Sequence, residues 1–407
     1  MEFKIFLENS YESISADIPL PRAVYSLSDL FAGKGATLFA VGGAIRDFLH
    51  HQYHDQAGKY APKDVDLATE APPDKVVEIL SSPKAKELKI KVFPKGASFG
   101  VISAIIDGEE FEIATFREEW YDPESGDGRR PDKVSFSTPA LDAKRRDLTM
   151  NALFYDIHAK EIRDYNIDHK GKGQGIQDIK NLIARPVGNA ADRFREDKLR
   201  IPRLIRFFSK YNPGEIRHHL DPQTLTAIEA FKDLIGVSPE RIAAEFTTGL
   251  EKCKNPYNYI MNYQVTGLMP AVFPKLKIDM TDLERIGGSK NVKVVLAWMF
   301  KANPPELVRQ RLNALKYPND VTDTVSFLIQ LLNFNPDKIM GYLRFRNARP
   351  QIKKDILEFA KMSGMHELVR FANYQQQTKS QDFMHLQGAE ISRAMAAAES
   401  EAYRKHQ

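Results

Sequence analysis

Two aspartates, Asp64 and Asp66, stand two residues apart shortly after a glycine pair, Gly42 and Gly43. Residues two apart on a strand project from the same face, so this spacing predicts two carboxylates side by side. The apolar run 38–41 before the glycines and the helical pattern after them predict a strand, a tight turn and a helix. Such a turn can approach an anion closely, and carboxylates beside it can hold Mg²⁺ against a triphosphate.

Each half of this pattern also has a common structural explanation. Glycine turns before helices are ordinary loop chemistry, and most Asp-x-Asp pairs lie on solvated strand edges. A third carboxylate, Glu112, lies on a predicted half-buried strand and could complete the metal site or act as a base. An exposed strand glutamate is an equally good interpretation, and Glu110 on the same face is its rival.

A second polar cluster consists of Arg145, Arg146 and Asp147, followed four residues later by Asn151. Arginine presents forked donors that suit phosphate or ribose oxygens, and an adjacent aspartate can accept from sugar hydroxyls. In isolation such a tripeptide is more often a surface ion pair.

A third cluster lies on a helix predicted over residues 195–207. Its charged residues include Glu196, Asp197, Arg200, Arg203 and Arg206. Glu196 and Asp197 are four and three residues before Arg200, so the three side chains can hold one another in one orientation. The arginines form a cationic stripe, which is usually only the charged face of an amphipathic helix. Pro202 predicts a local kink after Lys198, at a cost of up to ~3 kcal/mol.

Asp197 and Arg200 also suit the recognition of a base. Cytosine and adenine present an amino donor beside a ring-nitrogen acceptor, whereas guanine and uracil present the reverse order. One aspartate accepting from the amine and one arginine donating to the ring nitrogen would accept C and A. Guanine and uracil would leave buried polar groups unpaired, which can discriminate by up to ~10⁴-fold.

Composition bounds the class of protein. A chain of 407 residues with 43% hydrophobic and 28% charged residues predicts several ordinary globular domains. The net charge of +4 permits an RNA partner without arguing for one. Cys253 is the single cysteine, which excludes an intrachain disulfide and a cysteine-based zinc site. No apolar run approaches the ~20 residues of a membrane span. The N-terminus carries acids and lacks the basic and then apolar pattern of a targeting signal, which predicts a cytoplasmic protein.

Secondary-structure patterns divide the chain into an α/β part and a helical part. A helix is predicted over 73–80, and helical periodicity continues from about residue 176 onward. Asp107-Gly108 predicts a hairpin turn. Strands are predicted at 38–41, 90–93, 99–106, 111–116 and 133–137.

The motifs, taken in order, resemble class II tRNA nucleotidyltransferases, the CCA-adding enzymes, and their relatives the bacterial poly(A) polymerases. The resemblance covers roughly residues 36–250. It is carried by Gly42-Gly43-Ala44-Ile45-Arg46-Asp47, Asp64-Val65-Asp66, Arg145-Arg146-Asp147-Leu148-Thr149-Met150-Asn151, Glu196-Asp197-x-x-Arg200-x-x-Arg203-x-x-Arg206-Phe207 and Ser238-Pro239-Glu240-Arg241-Ile242.

The resemblance implies an α+β fold: a polymerase-β-type head with a mixed sheet, followed by an all-helical neck, body and tail. The corresponding domains are 1–155 for the catalytic head, 156–255 for the neck, 256–345 for the body and 346–407 for the tail. The helical part is expected to clamp the 3′ acceptor end of tRNA, and no membrane partner is expected.

The resemblance also implies roles for individual residues. The reaction is attack of the RNA 3′-hydroxyl on the α-phosphate of CTP or ATP, with pyrophosphate leaving and two Mg²⁺ assisting. Asp64 and Asp66 would bind the metals. The residues implied in nucleotide binding are Gly42, Gly43, Arg46, Arg146, Asp147, Asn151, Glu196, Asp197, Arg200, Arg203 and Arg206. Among these, Asp197 and Arg200 would select the base, Glu196 would orient them, and Arg203 and Arg206 would contact the triphosphate.

The sequence departs from the family pattern at two insertions. Residues 50–60 lie between the glycine turn and the aspartates, and their three histidines could suggest a metal but are more simply expected to face solvent. Residues 167–174 are expected to leave Asp164 far from Gly175 and Asp178, which puts the family's hinge element in doubt.

Three alternative functions remain open. The stretch 93–101 looks like the CCA-adding type rather than the poly(A) type, and the full-length loop 118–132 favours enzymes that add the terminal A. Addition of A alone and poly(A) synthesis stay possible. A non-catalytic RNA-binding relative is disfavoured because Asp64 and Asp66 are both intact.

Overall fold

The computed structural model of the protein describes residues 10–62, 64–96, 100–120 and 133–406. These residues form two compact units. The first comprises the described residues up to Val237 together with Val265–Gly267, and the second comprises Ser238–Gln264 together with the described residues from Leu268 onward. The division into head, neck, body and tail is finer than these two units and stays a prediction.

The first unit is built on an eight-stranded mixed sheet. Its strands, numbered along the chain, are β1 (Glu12–Ser15), β2 (Leu38–Val41), β3 (Asp66–Thr69), β4 (Lys91–Gly96), β5 (Val101–Ile106), β6 (Glu109–Thr115), β9 (Leu153–Asp156) and β10 (Glu161–Asp164), while β7 (Arg117–Trp120) and β8 (Lys133–Phe136) form a separate pair. The spatial order is β1-β10-β9-β2-β3-β6-β5-β4. Because β3 and β6 run parallel and their other neighbours antiparallel, the sheet is mixed, as predicted.

Helices surround the sheet and then continue to the end of the described chain. Those of the first unit are α1 (Arg22–Ala32), α2 (Gly43–His50), α3 (Pro73–Leu80), α4 (Pro83–Glu87), α5 (Pro139–Arg145), α6 (Gln174–Asn181), α7 (Ala190–Glu196), α8 (Arg200–Tyr211) and α9 (Pro222–Phe231). The later helices are α10 (Pro239–Lys252), α11 (Pro256–Val265), α12 (Met269–Val272), α13 (Val292–Met299), α14 (Pro305–Ala314), α15 (Asn319–Gln330), α16 (Ile339–Asn347), α17 (Ile352–Ser363), α18 (His366–Asn373) and α19 (Ala389–Lys405). The α+β class and the helical second half are confirmed.

Local sequence signals place several of these elements correctly. Helix α3 has the predicted bounds, with prolines at its start where no helical hydrogen bond is lost. Asp107 and Gly108 both have positive φ, 54° and 85°, and join β5 to β6 as the predicted two-residue hairpin. Strand β5 begins at Val101, two residues later than predicted, and residues 97–99 lie outside the described chain.

A buried cluster that includes residues of β2, β3 and β9 contains three aromatic rings. Phe39, Phe116 and Phe154 are buried, with ring centroids 5.5 to 6.4 Å apart in tilted or edge-on arrangements. They fix β2 and β9 side by side, which positions the turn at the end of β2.

Among the described residues, no helix combines the length and the apolar character needed to cross a bilayer.

The single helix expected over residues 195–207 is wrong. Helix α7 ends at Glu196, Asp197 is extended with φ −152°, and α8 begins at Arg200. Pro202 therefore lies in the first turn of α8, where the backbone N–H groups have no intrahelical acceptor. The expected cost of a proline inside a helix does not arise, because the chain breaks before it.

The first insertion is not a solvent-facing loop throughout. Helix α2 runs to His50 and continues as a π-helical turn, His51–Asp55. His50 is only 6% exposed, and its ring lies 4.5 Å from that of Tyr211. The interpretation of three solvent-facing histidines is thus wrong for His50, because the helix continues and buries it. Tyr60 returns to the same helix and donates from its hydroxyl to the Ala44 carbonyl at 2.6 Å.

The second insertion leaves the element around it intact. Ile167 and Gly173 pair across a local turn, so the extra residues project from the fold. Asp164 is buried and accepts from the backbone N–H of Ile176 at 3.0 Å, and a Cβ on Gly175 would lie 3.1 Å from its Oδ2. The expectation that Asp164 is moved away from Gly175 is wrong, because residues distant in sequence are brought back together.

Candidate active site

Gly42 forms the turn between β2 and α2. Its φ of 70° and ψ of −118° are values that residues with a side chain rarely adopt. A Cβ at this position would lie 3.6 Å from Nη1 of Arg146 and 3.9 Å from Oδ2 of Asp66. The turn thus has a guanidinium on one side and a carboxylate on the other, and Gly43 begins the helix that follows.

The aspartate pair lies at the start of β3. Asp66 is the first residue of the strand and Asp64 precedes it, and both are exposed. The expectation that both lie on a strand is wrong for Asp64. The physical reason is that β2 ends at Val41, which pairs with Asp66, so the residues before Asp66 have no partner on β2.

Glu112 lies next to this pair in the sheet. The parallel register pairs Leu67 with Ile113, which sets Asp66 level with Glu112 on the neighbouring strand. Adjacent residues at the same level of a sheet project from the same face, and both of these are exposed. Glu110 projects from the same face one pleat further along, beyond the start of β3, so Glu112 is the glutamate that is level with Asp66.

The oxygen ligands at this edge suit Mg²⁺. Magnesium is commonly bound through one or two carboxylates together with substrate phosphates and water. Asp64 and Asp66 are open to solvent, so a phosphate can reach them. Across the described ranges, no three His, Cys, Asp or Glu side chains are grouped closely enough to hold a metal by themselves. An ion here would therefore need ligands from a bound substrate or water.

Arg46 is buried behind the glycine turn. It donates to Oδ1 of Asn151 at 2.5 Å and to the Tyr211 hydroxyl at 2.6 Å, and it pairs with Asp47 at 2.8 Å. Burial opposes its charge, but Tyr211 and Asp47 raise the pKa of Arg46 above its ordinary value. Through its bond to the Tyr211 hydroxyl, Arg46 links α2 to α8.

Asp147 continues the same network. Its Oδ2 accepts from Nε and Nη2 of Arg203 at 2.9 and 2.7 Å, and its Oδ1 accepts from Nδ2 of Asn151 at 3.0 Å. Burial alone would raise the pKa of Asp147, yet the Arg203 charge and these hydrogen bonds hold it below its usual value. The network therefore runs from α2 through Asn151 and Asp147 to α8.

Two aromatic residues of α8 were given no role from the sequence: Phe207, which was noted only as the end of a motif, and Tyr211, which was missed. Three guanidinium groups, those of Arg46, Arg203 and Arg206, lie 4.7, 5.5 and 4.1 Å from the centroid of the Phe207 ring. The Tyr211 hydroxyl bonds to both Arg46 and Asp47. Their spacing of four residues places them on one face of a helix, which was the available signal.

The candidate base-selecting residues lie where α7 ends and α8 begins. Glu196 pairs with Arg200 at 2.6 Å and also with Arg193, so it is held on both sides. Arg200 is 8% exposed, and Oδ1 of Asp197 accepts from the backbone N–H of Leu199 at 3.0 Å. The predicted contact between Glu196 and Arg200 is present, on a helix break rather than a continuous helix.

Family models match two parts of the chain. Residues 38–185 match the poly A polymerase head domain, and residues 219–280 match the probable RNA and SrmB-binding site of polymerase A. The first range contains the glycine turn, the carboxylates and the Arg146 cluster.

Curated relatives and solved structures agree with these models. The chain is 34% identical to the CCA-adding enzyme of Lactobacillus johnsonii over 74% of this chain and 70% of that protein. It is 36% identical to mouse mitochondrial CCA tRNA nucleotidyltransferase 1 over 81% of this chain and 67% of that protein. With the CCA-adding enzyme of Lactobacillus helveticus the identity is also 36%, but the match spans about half of each protein, 52% and 45%.

Two solved structures have the same fold. The Bacillus stearothermophilus CCA-adding enzyme in complex with CTP is 22% identical, with a TM-score of 0.64 over 95% of this chain and 94% of that one. The Thermotoga maritima CCA-adding enzyme complexed with tRNA is 17% identical, with a TM-score of 0.64 over 96% and 95%. At these identities the likeness concerns the fold alone. By the family models and the curated relatives together, the chain belongs to the CCA-adding enzyme family of tRNA nucleotidyltransferases.

Proposed function

We propose that this protein adds C, C and A in turn to the 3′ end of tRNA, using CTP and ATP. The observation that carries the proposal is the hydrogen-bonded network from the glycine turn to α8. It ties the turn beside Asp66 to the helix that begins with Arg200. The network would thereby connect the groups proposed to hold the phosphates with the pair proposed to recognise the base.

In this proposal the glycine turn and the carboxylates carry out the transfer. The RNA 3′-oxygen forms a bond to the α-phosphorus of the nucleotide, the bond to the β-phosphate oxygen breaks, and pyrophosphate leaves. Asp64 and Asp66 would hold Mg²⁺, which when bound lowers the pKa of the attacking hydroxyl and neutralises the leaving group. Glu112, level with Asp66 in the sheet, would accept the hydroxyl proton or complete the metal site.

The helix break would select the base. Asp197 would accept from the exocyclic amine of C or A, and Arg200 would donate to the adjacent ring nitrogen. Glu196 supports this role because its ion pair fixes Arg200 in one orientation. A base with the reverse donor and acceptor order would leave these groups unpaired, which costs affinity.

The arginines would hold the rest of the nucleotide. Arg146, beside Gly42, would meet the sugar or phosphates, and Arg203 and Arg206 would meet the triphosphate. Arg203 is paired with Asp147 in this structure, so phosphate oxygens would compete with that carboxylate for the same guanidinium. Arg46 would support the turn from behind.

The test incubates the purified chain and Mg²⁺ with three tRNAs, ending at the base before CCA, at C, or at CC. Each substrate receives one nucleotide triphosphate at a time, and products are resolved to single nucleotides. Addition of C, C and one A followed by arrest is the expected result. Addition of A only to the CC substrate would instead identify an A-adding enzyme, unlimited A a poly(A) polymerase, and tRNA binding without addition a non-catalytic relative.

A further inference from the structure

Asp142 is a buried carboxylate whose two oxygens serve different elements. Oδ2 accepts from Nε of Arg146 at 3.2 Å and lies 3.1 Å from its Nη2. Oδ1 accepts from the backbone N–H of Arg117 at 3.2 Å and from Nη2 of Arg145 at 2.7 Å. With 2% exposure, Asp142 has no access to a ligand itself. Its influence must pass through the groups it binds.

The guanidinium groups of Arg145 and Arg146, both bound to Asp142, point in different directions. Nε of Arg145 also donates to the Arg117 carbonyl at 3.2 Å, so Arg145 faces the start of β7. Nη1 of Arg146 donates to the Asn151 carbonyl at 3.1 Å and lies 3.6 Å from the Cβ position of Gly42. Of the two, Arg146 is the one that reaches the glycine turn.

We infer that Asp142 is a positioning residue for nucleotide binding, because it fixes the Arg146 guanidinium beside Gly42. The inference rests on the proposed function, in which Arg146 meets the sugar or phosphates. A guanidinium is planar, so a carboxylate on its Nε and Nη2 edge fixes the direction of its remaining N–H groups. Without Asp142, Arg146 would keep its charge and its bond to the Asn151 carbonyl but lose the contact that fixes its Nε and Nη2 edge.

A double-mutant cycle separates this role from general support of the fold. If Asp142 acts through Arg146, the effect of removing its charge must vanish once Arg146 is gone. If Asp142 only holds α5 and β7 together, its removal must have the same effect in both backgrounds. The stability of the fold enters both arms equally, so it does not decide the outcome.

The experiment measures kcat and KM for CTP and ATP with the full chain carrying Asp142→Asn, Arg146→Ala or both. Asp142→Asn is expected to raise KM for both nucleotides about tenfold, equivalent to about 1.4 kcal/mol, with a smaller change in kcat. In the Arg146→Ala background it should raise KM no further. Asp142→Glu, which keeps the charge but moves it, is the second variant should the asparagine form not fold, and it is expected to show the same dependence on Arg146.

Asp156→Asn is the matched control. It breaks another buried carboxylate–arginine pair, that of Asp156 with Arg163 at 2.7 Å, level with Phe39 rather than at the glycine turn. Its KM should stay at the wild-type value. An unchanged KM for the Asp142 variants, or an equal rise with and without Arg146, would overturn the inference. If the wild type adds neither C nor A, the proposed function fails, and equilibrium titration of the same variants with CTP still decides the role of Asp142.

Discussion

At the scale of single residues, the proposed chemistry depends on Gly42, whose turn lies beside Asp66, and on the exposed carboxylates of Asp64 and Asp66. The types and order of Gly42, Asp64 and Asp66 predicted a phosphate and metal cradle, and the turn at Gly42 has the positive φ that only glycine adopts readily. The strand start at Asp66 could not be predicted, because it depends on where β2 ends. Tyr211 was missed because its contacts with Arg46 and Asp47 join segments about 165 residues apart.

The first prediction concerns the aspartate pair. Asp64→Ala and Asp66→Ala should each lower the rate of C and of A addition by at least about 10³-fold, because each would remove a proposed ligand of the metals that assist the transfer. Binding of tRNA, measured by gel shift, should be retained. Glu109→Ala, an exposed acid at the start of β6, is the control and should keep wild-type rates. If the aspartate variants still added C or A at the wild-type rate, the assignment of Asp64 and Asp66 as metal ligands would be wrong.

The second prediction separates the two candidate glutamates. Glu112→Gln should lower kcat by about 10²-fold or more, since a base or a third ligand is lost. Glu110→Gln should leave kcat near the wild-type value, because the register sets Glu112 and not Glu110 level with Asp66. Single-turnover rates with saturating CTP are the measurement. The reverse ranking of the two variants would show that the register argument selects the wrong residue.

At the scale of elements, the sequence predicted the helix after the glycine turn, the helix over 73–80 and the helices from about residue 176 onward. It missed α1, α4 and α5 and the break between α7 and α8. An ion pair between Glu196 and Arg200 can form on one continuous helix and also across a break between two helices. Periodicity therefore did not distinguish these two structures. Pro202 was the informative residue, since prolines are tolerated in a first turn and rare in a helix interior. Likewise, Asp164 and Gly175 looked separated because sequence distance does not report that Ile167 pairs with Gly173.

The position of Pro202 leads to a stability prediction. Pro202→Ala should change the free energy of unfolding by less than about 1 kcal/mol, because no helical hydrogen bond is restored in a first turn. Thr226→Pro, in the exposed middle of α9, is the contrasting variant and should cost about 3 kcal/mol or more. Urea unfolding of both variants measures the difference. A gain of several kcal/mol in Pro202→Ala would mean that the proline strains a continuous helix.

Burial of Asp164 leads to a pH prediction. Burial raises the pKa of Asp164 to about 7, although backbone N–H groups such as that of Ile176 lower it. The folded state therefore holds a proton that the unfolded state has released, so this stabilising contribution is complete below about pH 4 and is lost as pH rises to about 7. The difference in unfolding free energy between wild type and Asp164→Asn should shrink over that range by up to about 4 kcal/mol.

Unfolding of the wild type and the variant is compared at pH 4.5, 6 and 8. Asp74→Asn, an exposed acid on α3, serves as the control and should run parallel to the wild type. A difference between wild type and Asp164→Asn that is constant or grows with pH would contradict the argument.

At the scale of the whole molecule, the division into an α/β part and a helical part followed from the hydrophobic pattern, the α+β class followed from the resemblance, and the domain bounds followed from neither. The change from strands to helices is visible in hydrophobic periodicity, and the described helices continue to Lys405. Periodicity carries no information about which helices pack together, so the predicted neck, body and tail stay predictions. Residues 118–132 form the loop expected to allow addition of the terminal A. Of these, residues 121–132 lie outside the described part of the chain.

We propose that one protein both transfers nucleotides and selects C and A with its own side chains. The most direct measurement is the ratio of kcat/KM for CTP and UTP, and for ATP and GTP, in wild type and Arg200→Ala. Both ratios are expected to fall by about 10²-fold or more in Arg200→Ala, because the proposed donor to the ring nitrogen is gone. Arg195→Ala, which removes an exposed arginine paired with Asp192, should leave both ratios unchanged. Full rejection of U and G by Arg200→Ala would contradict the claim.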